Sequence, residues 1–351
     1  MLYILTYCTE KSYGSVLQAY GLKTTLQSLG FESKILIQGQ PPRASYTLSS
    51  AHNRTLRGNI RYLSRRLSYK KRNRRFQGTQ RFIEKHLDVV YCERISGDMF
   101  SDNDIFLSGS DQVWNPLAMK PEFFLEFAPQ HATKITYAVS MGISAVPEDK
   151  KTGFRDMIRK FPHISCREGE MLSILREYTD ASMDVHIDPT FLLTAEQWRS
   201  LEEPYPINKP YILVFPLFWN PACNRQLKEL HQKTKKEIIV VDECLRRIYA
   251  NKRLYDVNLR QFLWLIDHAD SVVTSSFHGV AFSMIFHKKT AAVINPQSTA
   301  RITSLFQLLG YENRDITDLS RDDAVDFSGI DQKIEIQQQR SVAYLKEALK
   351  T

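Results

Sequence analysis

Short apolar runs alternate with amphipathic stretches along the whole chain. The opening YILTY (3–7) reads as a buried strand, Ser12-Tyr13-Gly14 as a turn, and 15–28 as a helix that Gly30 can stop. Further strands are expected at 104–107, 134–139, 163–165 and 185–187, with helices near 81–87 and 149–160. Beyond the proline-punctuated stretch 203–210 the alternation resumes, with strands at 211–217, 237–241, 271–274 and 291–294. Helices are expected around 222–235, 259–268, 278–286 and 303–309, and a polar closing helix near 332–349. Strands separated by helices of this length imply parallel sheets with right-handed crossovers. The expected fold is α/β, with two domains, 1–202 and 203–351, and a final helix able to cross back over the first.

Composition fits that picture and narrows the setting. With 43% hydrophobic and 25% charged residues the chain is that of a globular protein. No apolar run exceeds five residues and the start MLYILTYCTEKSYG lacks a basic n-region, so neither a membrane span nor a signal peptide is expected. The five cysteines are scattered and never spaced as CxxC, which argues against a disulfide framework or a structural zinc and suits a reducing cytoplasm.

The net charge of +8 is local. Ten of the 47 basic residues lie between Arg54 and Arg75 with no acid among them, which leaves the rest of the chain close to neutral. There Ile60, Leu63 and Leu67 recur at helical spacing among arginines, the pattern of a basic amphipathic arm. Such a helix suits anionic headgroups or a pyrophosphate-bearing lipid-linked sugar, and equally a solvated arm packed on its own domain. Aromatic interleaving is thin and no binding motif accompanies it, so nucleic acid is not expected as a partner.

Several strand ends point polar or glycine residues at one rim, where open parallel sheets bind ligands. After the strand 271–274, Ser275-Ser276-Phe277-His278-Gly279 opens a helix whose first amide groups suit an anion. Ser275 or Ser276 can cap that helix, Gly279 allows close approach, and His278 is placed for proton transfer or for a plain capping role. Arg167 follows a strand and Arg301 starts a helix, and guanidinium groups bind carboxylate and phosphate bidentately. Gly109-Ser110-Asp111-Gln112-Val113-Trp114-Asn115 offers a carboxylate for a sugar hydroxyl and an indole for a sugar face, or simply a capped turn with a packed tryptophan. Asp188, before Pro189, reads as a turn residue.

Taken together, Tyr13-Gly14-Ser15-Val16-Leu17-Gln18-Ala19-Tyr20, Gly109–Asn115, Tyr137-Ala138-Val139-Ser140-Met141-Gly142, Arg167-Glu168, Asp188-Pro189-Thr190 and Ser275–Gly279 resemble the polysaccharide pyruvyl transferase family, in the family's order. The chain departs from the family pattern with Ser12 in place of an asparagine and with the basic arm 54–75. The resemblance implies a GT-B-like fold of two Rossmann-like domains, the first on the acceptor side and the second on the donor side. It implies phosphoenolpyruvate as donor and a cyclic ketal on a sugar of a lipid-linked oligosaccharide in capsule or exopolysaccharide biosynthesis, with no metal or cofactor. Carried over residue by residue, Arg167, Arg301, Ser275, Ser276, His278 and Gly279 would bind the donor, and His278, Asp111 and Arg167 would be catalytic. Asp111, Gln112, Trp114, Tyr13 and Gly14 would face the acceptor. Peripheral contact with the inner face of the membrane is expected through 54–75. The alternatives are a GT-B glycosyltransferase using a nucleotide sugar, which has no acidic ribose-binding residue at the expected place but is kept open by Asp242-Glu243 after a strand, and a non-catalytic sugar- or lipid-binding protein.

Overall fold

The computed structural model describes residues 1–9, 11–42, 45–46, 66–241, 247–295 and 300–350. The upstream part of the basic arm, with Ile60 and Leu63, and the Asp242-Glu243 pair lie outside these residues.

The first sheet runs β3-β2-β1-β4-β5, all parallel, from β1 (Leu2–Leu5), β2 (Ser33–Gln38), β3 (Val89–Cys92), β4 (Ile105–Ser108) and β5 (Thr133–Thr136). Beyond β5, Val139 bridges to Asp111 on one side and to Cys166 on the other. That residue ties on a parallel pair, β6 (His163–Cys166) and β7 (Ser182–Val185). The second sheet repeats the arrangement as β10-β9-β8-β11-β12, from β8 (Tyr211–Phe215), β9 (Glu237–Val241), β10 (Lys252–Leu254), β11 (Ser271–Thr274) and β12 (Lys289–Ala292). In each five-stranded sheet the order reverses beside the first strand, between β1 and β4 and between β8 and β11. Crevices at such switch points are where open α/β sheets take ligands.

The strands are short, and the central ones are mostly apolar because both faces are covered. Four of the five residues of β8 and all four of β11 are buried. The helices that fix the site are α1 (Tyr13–Ser28), α2 (Tyr69–His86), α7 (Leu259–Asp267), α8 (Phe277–Ile285), α9 (Ala300–Leu309) and α10 (Phe327–Ala348). Between them in the chain lie α3 (Lys151–Ile158), α4 (Gly169–Leu175), α5 (Ala195–Arg199) and α6 (Cys223–Thr234). Ser12 caps α1 by accepting from the Ser15 amide, so the serine at this position completes a helix start. Every residue of α8 is buried, so its first residues are held on all sides.

One apolar cluster joins the two sheets. It takes Ile4 and Leu107 from the first, Leu213 and Ile239 from the second, and Val16, Phe262 and Phe282 from α1, α7 and α8 between them. The described end of the basic arm is part of that joint. The Arg75 guanidinium lies 4.2 Å over the Tyr13 ring, Arg72 lies 5.0 Å over Tyr255, and Arg74 pairs with Asp256 at 3.3 Å. Leu67, by contrast, is 81% exposed. Finally, α10 returns to the first half: Ser341 Oγ accepts from the Ile187 amide, Tyr344 donates to the Thr136 carbonyl, and Arg340 pairs with Asp184. Among the described residues no helix is long and apolar enough to cross a membrane.

Candidate active site

Arg167 leaves the end of β6 and is buried, its side chain only 2% exposed. Nε donates to Glu168 at 2.9 Å and Nη1 to Asp188 at 2.8 Å, while Asp111 Oδ1 stands 4.0 Å from Nη1. Nη2 has no hydrogen-bond partner among the described residues. The guanidinium also lies 4.3 Å over the ring of Phe277, the first residue of α8 in the second half. Burial would weaken its charge, but Glu168, Asp188 and Asp111 outweigh burial and hold the group firmly protonated.

Asp188 is the hub of the cluster. It caps the turn Pro189–Leu192, with Oδ1 accepting from the Thr190 amide at 3.0 Å and from the Thr190 hydroxyl at 2.8 Å. Oδ2 accepts from Arg167 and stands 3.7 Å from His278 Nε2. Burial favours the neutral acid, yet His278, Arg167 and the Thr190 amide together hold the carboxyl well below the usual carboxylate range. Its backbone is fixed from two sides, because the preceding Ile187 gives its amide to Ser341 and its carbonyl accepts from the Tyr137 hydroxyl at 2.9 Å.

Beside this cluster is a cavity of ≈ 400 Å³ between the two halves. Arg167, Glu168 and Asp188 line it from the first half, Arg301, Ser304 and Phe277 from the second. Leu305 and Leu308 give it an apolar wall. Burial and then the neighbouring Arg167 disfavour the charge of Arg301, while Asp111 and Glu168 favour it, and both guanidiniums line the same cavity. A pocket of this kind, apolar with a few convergent charged groups at a domain joint, is the usual form of a small-molecule site.

The polysaccharide pyruvyl transferase model matches residues 13–297, most of the chain and every element of this site except α9. The chain belongs to the polysaccharide pyruvyl transferase family. It is a transferase of pyruvyl groups in polysaccharide biosynthesis, with a sugar as acceptor. No curated protein matches this pyruvyl transferase. Among solved structures it is similar to UGT89C1 of Arabidopsis thaliana in complex with quercetin, at 10% identity and a TM-score of 0.51 over 99% of this chain and 98% of that one. It is likewise similar to the UDP-GlcNAc 2-epimerase of Neisseria meningitidis bound to UDP-GlcNAc, at 12% identity and a TM-score of 0.50 over 99% of each. These likenesses show the GT-B-like fold of two Rossmann-like halves.

The pyruvyl transferase site gathers some of the residues singled out in the sequence and separates others. Arg167 and Arg301 share the cavity, and His278 reaches it only through Asp188 and Phe277, which do line it. Asp111 stands beside Arg167, its φ of 72° placing it in the left-handed region that aspartate tolerates. Ser276 caps α8 through the Gly279 amide. The Ser275 hydroxyl is spent on the loop after β8, accepting from the amides of Leu217 and Phe218 and donating to the Phe218 carbonyl. Gly279 is pressed on the Thr274 hydroxyl, a close approach of α8 to β11. Gln112 packs under Gly142.

Three acceptor assignments are corrected: Gly14 is buried, with the His278 ring against it, and presents no surface to a sugar. Trp114 is fully buried, its indole stacked on Phe124 at 5.4 Å and donating to the Phe123 carbonyl, so no face is left for a sugar. Tyr13 is also buried, donating to the Val257 carbonyl at 2.6 Å and stacked on Phe262 at 4.4 Å, where it joins the halves. Asp188 is the residue that sequence reasoning undervalued, because Asp-Pro-Thr explains itself locally as a capped turn. Away from the site, Glu202, Asp267 and His268 bring three ligand atoms within 4.8 Å, but Arg199 already pairs with Asp267.

Proposed function

We propose that this chain transfers the pyruvyl unit of phosphoenolpyruvate to two hydroxyls of one sugar, forming a cyclic ketal and releasing inorganic phosphate. The observation that carries the reading is the pair of guanidiniums, Arg167 and Arg301, facing one cavity beside the Asp188–His278 pair. The donor's carboxylate and phosphate take the two guanidiniums, with Arg167 Nη2, buried and unpartnered among the described residues, left to pair with one of them. The Asp188–His278 pair at the cavity wall, holding the proton of the imidazolium, gives it to the methylene carbon, and the double-bond electrons form the new C–H bond. The cationic neighbouring carbon accepts an electron pair from one sugar hydroxyl, whose proton leaves towards Asp111. A second hydroxyl then displaces phosphate, which departs with the C–O bonding electrons, and its own proton passes to solvent. Fixed charges that hold the anions without collapsing onto the cation are what lower this barrier.

The acceptor reading remains a lipid-linked oligosaccharide of a capsule or exopolysaccharide, assembled in the cytoplasm at the inner face of the membrane, with the arm 54–75 as the peripheral contact. The attachment of 72–75 to Tyr13, Tyr255 and Asp256 supports a place for that arm beside the cleft. A nucleotide-sugar glycosyltransferase is the second reading, favoured by the likeness to a UDP-GlcNAc-bound epimerase over the whole chain.

Phosphate release from phosphoenolpyruvate plus a galactose-type lipid-linked acceptor is the deciding assay. Arg301→Ala and His278→Asn are expected to lower kcat/KM by roughly 10²–10³-fold, the usual loss of one charge-stabilising or proton-donating group. Wild-type rates in both variants, or thermal stabilisation by UDP and none by phosphoenolpyruvate, would remove the reading.

A further inference from the structure

Gly14 sits in the first turn of α1, with no unusual backbone angle that asks for glycine. Alanine is the better helix former at such a position. What forbids it is the other half of the molecule. A Cβ built on Gly14 would overlap the imidazole of His278, with Nδ1, Cγ and Cε1 all within 2.8 Å. On the far side of the ring, Nε2 is buried with no hydrogen bond among the described residues and faces Asp188 Oδ2 at 3.7 Å. The ring is thus held between two groups of the first half, although His278 itself belongs to α8 of the second.

We infer that Gly14 and Asp188 are positioning residues, a two-sided clamp by which the first half sets the orientation and the protonated nitrogen of the His278 ring. Asp188 is anchored by Thr190 and Arg167, so its free edge can only face Nε2. In the neutral ring the proton therefore sits on Nε2, and Nδ1 carries the lone pair beside Gly14. Phe277, edge-on to the imidazole at 5.2 Å and 89°, closes a third side. Each half supplies what the other lacks: the ring comes from α8, its seat from α1 and the turn after β7. The clamp rests on the proposed role of His278 as acid, but its geometry can be read without that role.

The test is Gly14→Ala and Asp188→Asn, each checked for fold by circular dichroism and read in two ways. Nitrogen-15 spectra of histidine-labelled protein are expected to show the wild-type His278 as the Nε2–H tautomer and a moved or tautomer-averaged signal in both variants. Steady-state kinetics should show kcat lowered by a factor of 100 or more with the KM for phosphoenolpyruvate within about twofold. The double variant should lose no more than the worse single one, since both act through one ring. His278 signals unchanged in Gly14→Ala, or a wild-type ring protonated on Nδ1, would overturn the clamp. If Gly14→Ala does not fold, the wild-type tautomer and Asp188→Asn still decide. A wild-type protein inactive with phosphoenolpyruvate but showing the expected ring signals would sink the donor reading and leave the clamp standing.

Discussion

At the scale of the residue, Asp188 carries more of the site than any group that its sequence context advertises. It accepts from Thr190 twice and from Arg167 once and faces His278, all without solvent. Removing one partner of such a buried set leaves a charge uncompensated, so Asp188→Ala is expected to cost about 3–5 kcal/mol in denaturant unfolding. The same carboxyl ties stability to pH. Its native value is depressed below the unfolded value of about 3.9, so its stabilisation is fully present above that pH and fades as the pH falls through the lower native value. The stability gap between wild type and Asp188→Asn should close as the pH falls below about 4; a gap that widens there would refute this. Arg167, Arg301 and His278 could be picked out because strand ends and helix starts expose their signal in a few neighbouring letters. Asp188 could not, because its partners are Arg167 and His278, distant in the chain. The burial of Trp114 depends on Phe123, Phe124 and Phe161 folding around it, which local composition does not reveal.

At the scale of the element, α10 is the strap that fixes the strand end before Asp188. Ser341 Oγ is the acceptor for the buried Ile187 amide, and it is itself fully buried. Ser341→Ala leaves that amide unpaired and should destabilise by about 1–3 kcal/mol, measured as a fall in the denaturant midpoint. Unchanged stability would mean that the amide finds another partner. The sequence marks most elements well: β9 at 237–241 and β11 at 271–274 are built around the apolar runs 238–241 and 272–273. The helix expected near 81–87 instead starts at Tyr69, because its buried face is sparse, with Phe76, Thr79, Phe82 and Ile83 under a basic surface. β3 escapes the pattern for a related reason, as all four of its residues are only half-buried at the sheet edge. The tie between α10 and Ile187 leaves no trace in the periodicity of either.

At the scale of the whole molecule, the halves share one apolar cluster and several cross-links, with Tyr13 held by Phe262, Val257 and Arg75. A chain of two independent domains would melt in two steps; this one is expected to melt in a single transition. Far-UV circular dichroism and tryptophan fluorescence, with Trp114 in the first half and Trp264 in the second, should coincide, and two resolved transitions would contradict the shared core. The two-sheet α/β architecture follows from the alternation of runs, while the joint does not, since its residues read individually as ordinary core. The strap formed by α10 also sets a schedule for the molecule's own birth. The Ile187 amide and the Ser341 hydroxyl are 154 residues apart. At a translation speed of about 5–20 residues per second, the growing polypeptide spends roughly 8–30 s with that strand end lacking its fastener. A nascent chain of this length is expected to hold its aspartate in a loose, wet and inactive precursor until the last long helix leaves the ribosome.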